Sequence, residues 1–135
     1  MNNEQPTMSE ALSPVQKLRL AGTSFTEAWR RVNDATYEIG TAAGFYGPGV
    51  QFNDGEKLAL MHSEISEALE GLRGGPFPGK PDDKLTHRPM VEAELADLVI
   101  RVMNYGRHRG LDVAGAVIEK AIFNASRPRL HGKKF

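Results

Sequence analysis

The run Glu56-Lys57-Leu58-Ala59-Leu60-Met61-His62-Ser63-Glu64-Ile65-Ser66-Glu67-Ala68-Leu69-Glu70 decides how this chain is read. Its counterpart is Glu92-Ala93-Glu94-Leu95-Ala96-Asp97-Leu98-Val99-Ile100-Arg101. In the first run, apolar residues at 58, 61, 65, 68, 69 and 72 recur at helical spacing and predict one apolar stripe. Glu64 and Glu67, three apart, lie about 60° from one another on a neighbouring face. The second run repeats the arrangement, with Leu95, Leu98, Val99 and Val102 as the stripe and Glu94 and Asp97 beside it. Like charges at this spacing weaken an isolated helix. If the stripes pack together, four carboxylates converge near the core, where a cation between them offsets the cost of desolvating like charges. All-oxygen ligands favour a hard divalent ion, Mg²⁺ with Mn²⁺ able to substitute, over zinc.

Working outward, Asn53 and Glu56 have the spacing of a capping box and open the first acidic helix, expected to run to about Leu72. Residues 73–88, rich in Gly, Pro and charge, predict a long loop. Pro89 suits the first turn of the next helix, which should end near Gly110. Asp112 then caps a last helix to Arg127, stopped by Pro128. Upstream, Ser24-Phe25-Thr26-Glu27 has capping-box form and precedes an apolar pattern, so a helix is expected from there to Gly44. Ser13-Pro14 predicts a separate short helix to about Leu20, and residues 1–12 an extended arm. The expected organisation is therefore an N-terminal arm at 1–22 and one domain at 23–135. No segment alternates like a strand and no internal repeat is visible. The predicted fold is all-α, a four-helix-bundle-like, up-and-down arrangement.

The 135 residues carry 17 basic and 17 acidic side chains and no cysteine. Zero net charge gives no field for nucleic acid or an anionic membrane. Absent cysteine removes disulfides, thiolate catalysis and Cys-based zinc sites. With neither a membrane-length apolar run nor a signal-peptide pattern, the expectation is a cytoplasmic protein.

On the last helix, Lys120, Asn124 and Arg127 fall within about 60° of one another. Two cations and an amide form a surface suited to an oligophosphate. Combined with the acidic quartet, this is the equipment of metal-assisted phosphate chemistry, in which carboxylates hold ions and cations hold the leaving group.

Glu64-Ile65-Ser66-Glu67 followed by Glu94-Leu95-Ala96-Asp97 resembles the E-x-x-E…E-x-x-D signature of the MazG-like, all-α nucleoside triphosphate pyrophosphatases. Lys120, Asn124 and Arg127, with Pro128 directly after, are similar to that family's phosphate-binding last helix. The resemblance spans about Phe25 to Phe135 and is strongest to the short single-domain versions of phages and bacteria, which would place the protein in the host cytoplasm if phage-encoded. It implies Mg²⁺-dependent hydrolysis of a (deoxy)nucleoside triphosphate to the monophosphate and pyrophosphate. The ions would be bound by Glu64, Glu67, Glu94 and Asp97, with Glu67 or Glu64 receiving the proton of the attacking water. It also implies a homo-oligomer, a tetramer ahead of a dimer.

The base pocket is the least legible part. Trp29 lies on the first helix's apolar stripe and reads first as core, with base stacking as the alternative. Asn33 and His62 are candidates for a base edge, and Phe45, Tyr46 and Phe52 could stack a base or pack beneath their loop. Gly74-Gly75-Pro76-Phe77-Pro78-Gly79-Lys80 spells G-x-x-x-x-G-K, but Pro81 replaces Ser/Thr and two prolines remove cradling N–H groups. No histidine has Glu three residues before it, against a di-iron bundle. Two alternatives stay open: a non-catalytic helical partner-binding module, and a phosphoribosyl-ATP pyrophosphatase of the same fold.

Overall fold

A computed structural model describes residues 11–135. Among them are four α-helices, α1 (Pro14–Ala42), α2 (Asp54–Arg73), α3 (Met90–Arg109) and α4 (Val113–Ala125), followed by a 3₁₀ segment at Arg129–Gly132. No strand occurs among the described residues, only an isolated bridge between Pro81 and Pro89. The chain is all-α, and no described helix is long and apolar enough to cross a membrane. It divides into two compact units: Ala28–Val113, and the described residues up to Glu27 together with Ala114–Phe135.

The two helices expected before Gly44 are one. Ser13 and Gln16 cap it reciprocally, with Gln16 N–H donating to Ser13 Oγ and Ser13 N–H to Gln16 Oε1. The supposed second cap, Ser24, instead donates its hydroxyl to the carbonyl of Ala21 at 2.9 Å, and Thr26 does likewise to Thr23. Hydroxyls satisfied within the helix no longer compete to end it. A Cβ at Gly22 would lie 3.5 Å from Ile118, so this weak helix former is held by packing. The expected boundary at residue 22 thus falls inside α1, while residues 1–10 of the expected arm lie outside the described residues.

In the larger unit α2 and α3 pair antiparallel. Asn53 Oδ1 caps α2 by accepting from Glu56 N–H at 3.0 Å. Gly110 ends α3 in the left-handed conformation. At one end of the pair Asp54 accepts two bonds from Arg109, at 2.7 and 2.6 Å, and one from Tyr105. At the other, Gly71 packs on Met90.

The buried residues of α2 are Glu64, Ala68 and Gly71; of the expected apolar stripe Ala68 is among them, and Met61 and Leu72 are half-buried. On α3 the buried residues are Met103, Asn104 and Gly106. The small residues let the helices approach closely. Leu58, Ile65 and Leu69 on α2, and Leu95 and Val99 on α3, remain exposed, at 45–52% of their surface. Val32 and Ile39 of α1 are exposed as well.

The loop 74–89 is bound down throughout. Lys80 N–H donates to Gly71 O, Met90 N–H to Lys80 O, and Asp82 N–H to Arg88 O. Gly79, at φ +87°, passes so near α2 that a Cβ there would lie 2.3 Å from Gly71 O. No other residue type fits that position. The Phe77–Pro78 peptide is cis.

Candidate metal centre

Three carboxylates of the sequence-predicted quartet meet. Glu64, Glu94 and Asp97 each offer an oxygen within 4.8 Å of the others, a set that could hold a metal ion. Glu64 is buried, Glu94 half-buried and Asp97 exposed. Exposed acidic clusters are common in proteins that bind no ion, so the weight falls on Glu64, with 4% of its surface accessible. Glu67 stands outside the trio, exposed, but reaches Glu94 by a side-chain hydrogen bond. A carboxyl–carboxylate bond of this kind requires a proton. Accordingly Glu94 is pushed up from 4.5 to about 7, chiefly by burial, then by its bond to Glu64 and repulsion from Glu67. Asp97 is also raised, by burial first and then by Glu64, with Lys84 and Arg101 opposing. Excess negative charge and all-oxygen donors make this a set that could hold a hard cation.

The acidic residues line a cavity of about 500 Å³. Its other wall is the turn Asp82-Asp83-Lys84, of which sequence reasoning missed the two aspartates. Asp82 is buried and accepts the backbone N–H groups of Lys84 and Leu85, at 3.0 and 2.6 Å. Those bonds, Leu85's foremost, lower its pKa and fix the turn. Also missed was Arg101, whose Nε donates to Glu64 Oε1 at 2.5 Å. The available signal was spacing: Arg101 lies four residues past Asp97 and seven past Glu94, on the same helical face.

A second cavity of about 410 Å³ shares Lys84, Asp97 and Arg101 with the first. It is lined further by Ile39, Phe45, Ile100, Lys57 and the polar edge of Tyr46 and Asn104. Asn104 Oδ1 accepts from Asn33 Nδ2 and Thr36 Oγ1, both at 2.9 Å, so the candidate base-edge amide of Asn33 is engaged in tying α1 to α3. Tyr46 stacks on Tyr37, and Phe52 on His108 and Tyr105, which directs two of the three loop aromatics inward. Burial and the nearby Tyr37 raise the pKa of Tyr46, and the Asn104 hydrogen bond lowers it. Phe45 is exposed. Trp29 is half-buried and His62 exposed; neither lines either cavity.

Lys120, Asn124 and Arg127 belong to the other unit. Lys120 Nζ lies 5.0 Å from the Phe123 ring centre, and these two line a further hollow with Ala116 and Glu119. Asn124 Oδ1 is buried with no hydrogen-bond partner among the described residues. Helix α4 stops at Ala125, so Arg127 is not on the helical face expected of it. It sits in the turn after, with its N–H on Asn124 O at 3.1 Å.

No protein-family model, curated protein or solved structure matches this chain.

Proposed function

We propose that the protein is a Mg²⁺-dependent nucleoside triphosphate pyrophosphohydrolase that releases the monophosphate and pyrophosphate. The observation that carries this reading is the convergence of Glu64, Glu94 and Asp97, with Glu67 beside them, from two paired helices in the order of the E-x-x-E…E-x-x-D signature. The trio would hold the ion, with Mn²⁺ able to substitute. A bound Mg²⁺ supplies Lewis-acid polarisation of phosphoryl oxygens. Glu67, exposed at the cavity and outside the trio, or else Glu64 would take the proton of an attacking water. Lys120, Asn124 and Arg127 would bind phosphate oxygens, a role that rests on their resemblance to a phosphate-binding helix. The test is a panel of ribo- and deoxyribonucleoside triphosphates with Mg²⁺, read by monophosphate and pyrophosphate release. Turnover of at least one, lost on chelation, is expected. No metal-dependent turnover across the panel would overturn the reading and favour the partner-binding module.

We infer also that the chain works as a homo-oligomer, a tetramer ahead of a dimer. Apolar residues at helical spacing on α1, α2 and α3 are exposed, including Leu20 and Ile39 at 69%. Burying such surface contributes about 25 cal/mol per Å². Light scattering at micromolar concentration should return a multiple of the 14.8 kDa chain mass. A monomer would contradict it.

A further inference from the structure

We propose that Arg101 is the resident counter-cation of the acidic cavity, and that it gives up Glu64 when a divalent ion enters. The inference rests on the metal-site reading above. Glu64 is the one member of the trio that is buried, its side chain 6% exposed, and it lies on the α2 face turned to α3. An ionised carboxylate in that position needs a compensating charge. Arg101 supplies it through Nε, at 2.5 Å from Oε1. The arginine is not itself enclosed: its side chain is 39% exposed and lines both cavities. It therefore has somewhere to go, and leaving costs it little desolvation. On the second cavity its charged neighbours are Lys57 and Lys84, with Asp97 the only acid among the described lining residues, so a freed guanidinium there joins a lining suited to an oxyanion.

A divalent ion and a guanidinium cannot both neutralise Glu64 without repelling each other at close range. Arg101 and the ion are thus competitors, and ion affinity is set by the difference between them. This reverses the usual expectation for a residue beside a metal site. If Arg101 merely braced the cavity, removing it would loosen the ligands and weaken binding. As a competitor, its removal strengthens binding.

Two measurements decide. Mn²⁺ binding, followed by calorimetry or the loss of free-ion EPR signal, should tighten by about tenfold in Arg101→Gln, within the range of ordinary coupling between linked ligands. Arg101→Lys, which keeps the charge but not the planar fork, should fall between. Should Arg101→Gln fail to fold without ion, Arg101→Lys and the next measurement carry the decision. In ¹⁵N spectra of the wild-type chain, the Arg101 Nε–H resonance, assigned by its loss in Arg101→Lys, should move toward the free-guanidinium position as Mg²⁺ saturates. Equal or weaker Mn²⁺ binding in Arg101→Gln, or an unmoved resonance at saturating Mg²⁺, would overturn the proposal. If wild type binds Mn²⁺ and Glu94→Gln does not, that failure is of the Arg101 role alone. Silence in wild type and Arg101→Gln alike would remove the metal site and this inference together.

Discussion

If the protein is the proposed pyrophosphohydrolase, Glu94→Gln should lower Mg²⁺-dependent release of nucleoside monophosphate by about 10³-fold or more, roughly 4 kcal/mol of barrier, with helical content unchanged. Glutamine keeps the shape and the hydrogen-bonding capacity at Glu94 but removes an anionic ligand oxygen. The same change alters stability with pH, and its sign follows from the raised carboxyl. Glu94 holds its proton more tightly in the folded chain, about 7 against the usual 4.5. Its contribution to stability is complete below the usual value and is lost as pH rises through about 7, since unfolding releases a proton across that window. Without divalent ions, wild type should therefore lose thermal stability from pH 4.5 toward 7, and Glu94→Gln should lack this component. Mg²⁺ should restore wild type and not the variant, because only the ionised quartet rewards the ion. Parallel stability curves for the two proteins, or retained turnover in the variant, would count against the assignment. Glu64→Gln is the less clean substitution, since it also strips Arg101 of its carboxylate.

The second large effect concerns Lys120 and Arg127. Replacing both with alanine should lower kcat/KM by about 10–1,000-fold, or roughly 1.4–4 kcal/mol, if their contacts strengthen in the transition state. Uniform binding would instead raise KM with kcat unchanged. Stability should change little: Lys120 is exposed and Arg127 lies beyond the last helical residue. Arg127→Lys should recover only part of the loss, because an ammonium cannot reproduce the planar donor array. Wild-type kinetics in the double variant would reduce this region to packing and leave phosphates to the 73–88 loop or the Lys133-Lys134 tail.

Much of this architecture was legible because helix ends obey local chemistry. Asn53 and Gly110 mark ends that depend on one side chain or one backbone conformation, and both were readable. The break expected at Ser24 was not real because a hydroxyl three residues past a carbonyl can stay within the helix, which spacing alone does not show. The acidic trio was readable from two i, i+3 pairs. The contact face is offset from the one anticipated: Glu64, Ala68 and Gly71 are its buried α2 residues, while Leu58, Ile65, Leu69, Leu95 and Val99 of the stripes are left outward. Periodicity finds an apolar face but cannot say whether the chain itself or another copy covers it. Arg101, Asp82 and Asn104 were missed for a different reason. Arg101 and Asn104 are defined by partners far along the chain, and polar residues facing such partners look like solvated surface in sequence. The Asp82 carboxylate bonds to the turn that follows it, and nothing local says that the turn lies against the other carboxylates.

Asp97 and Arg101, one turn apart on α3, stand on the wall shared by the two cavities. Beyond the Lys84, Asp97 and Arg101 that they share, the first is lined by five carboxylates and the second by one charged residue, Lys57. The hollows adjoin and differ in charge, the first acidic and the second nearly without acidic groups. An elongated guest with one anionic end would be disfavoured with that end among the five carboxylates. The chain, neutral as a whole, is thus charged unevenly along α3.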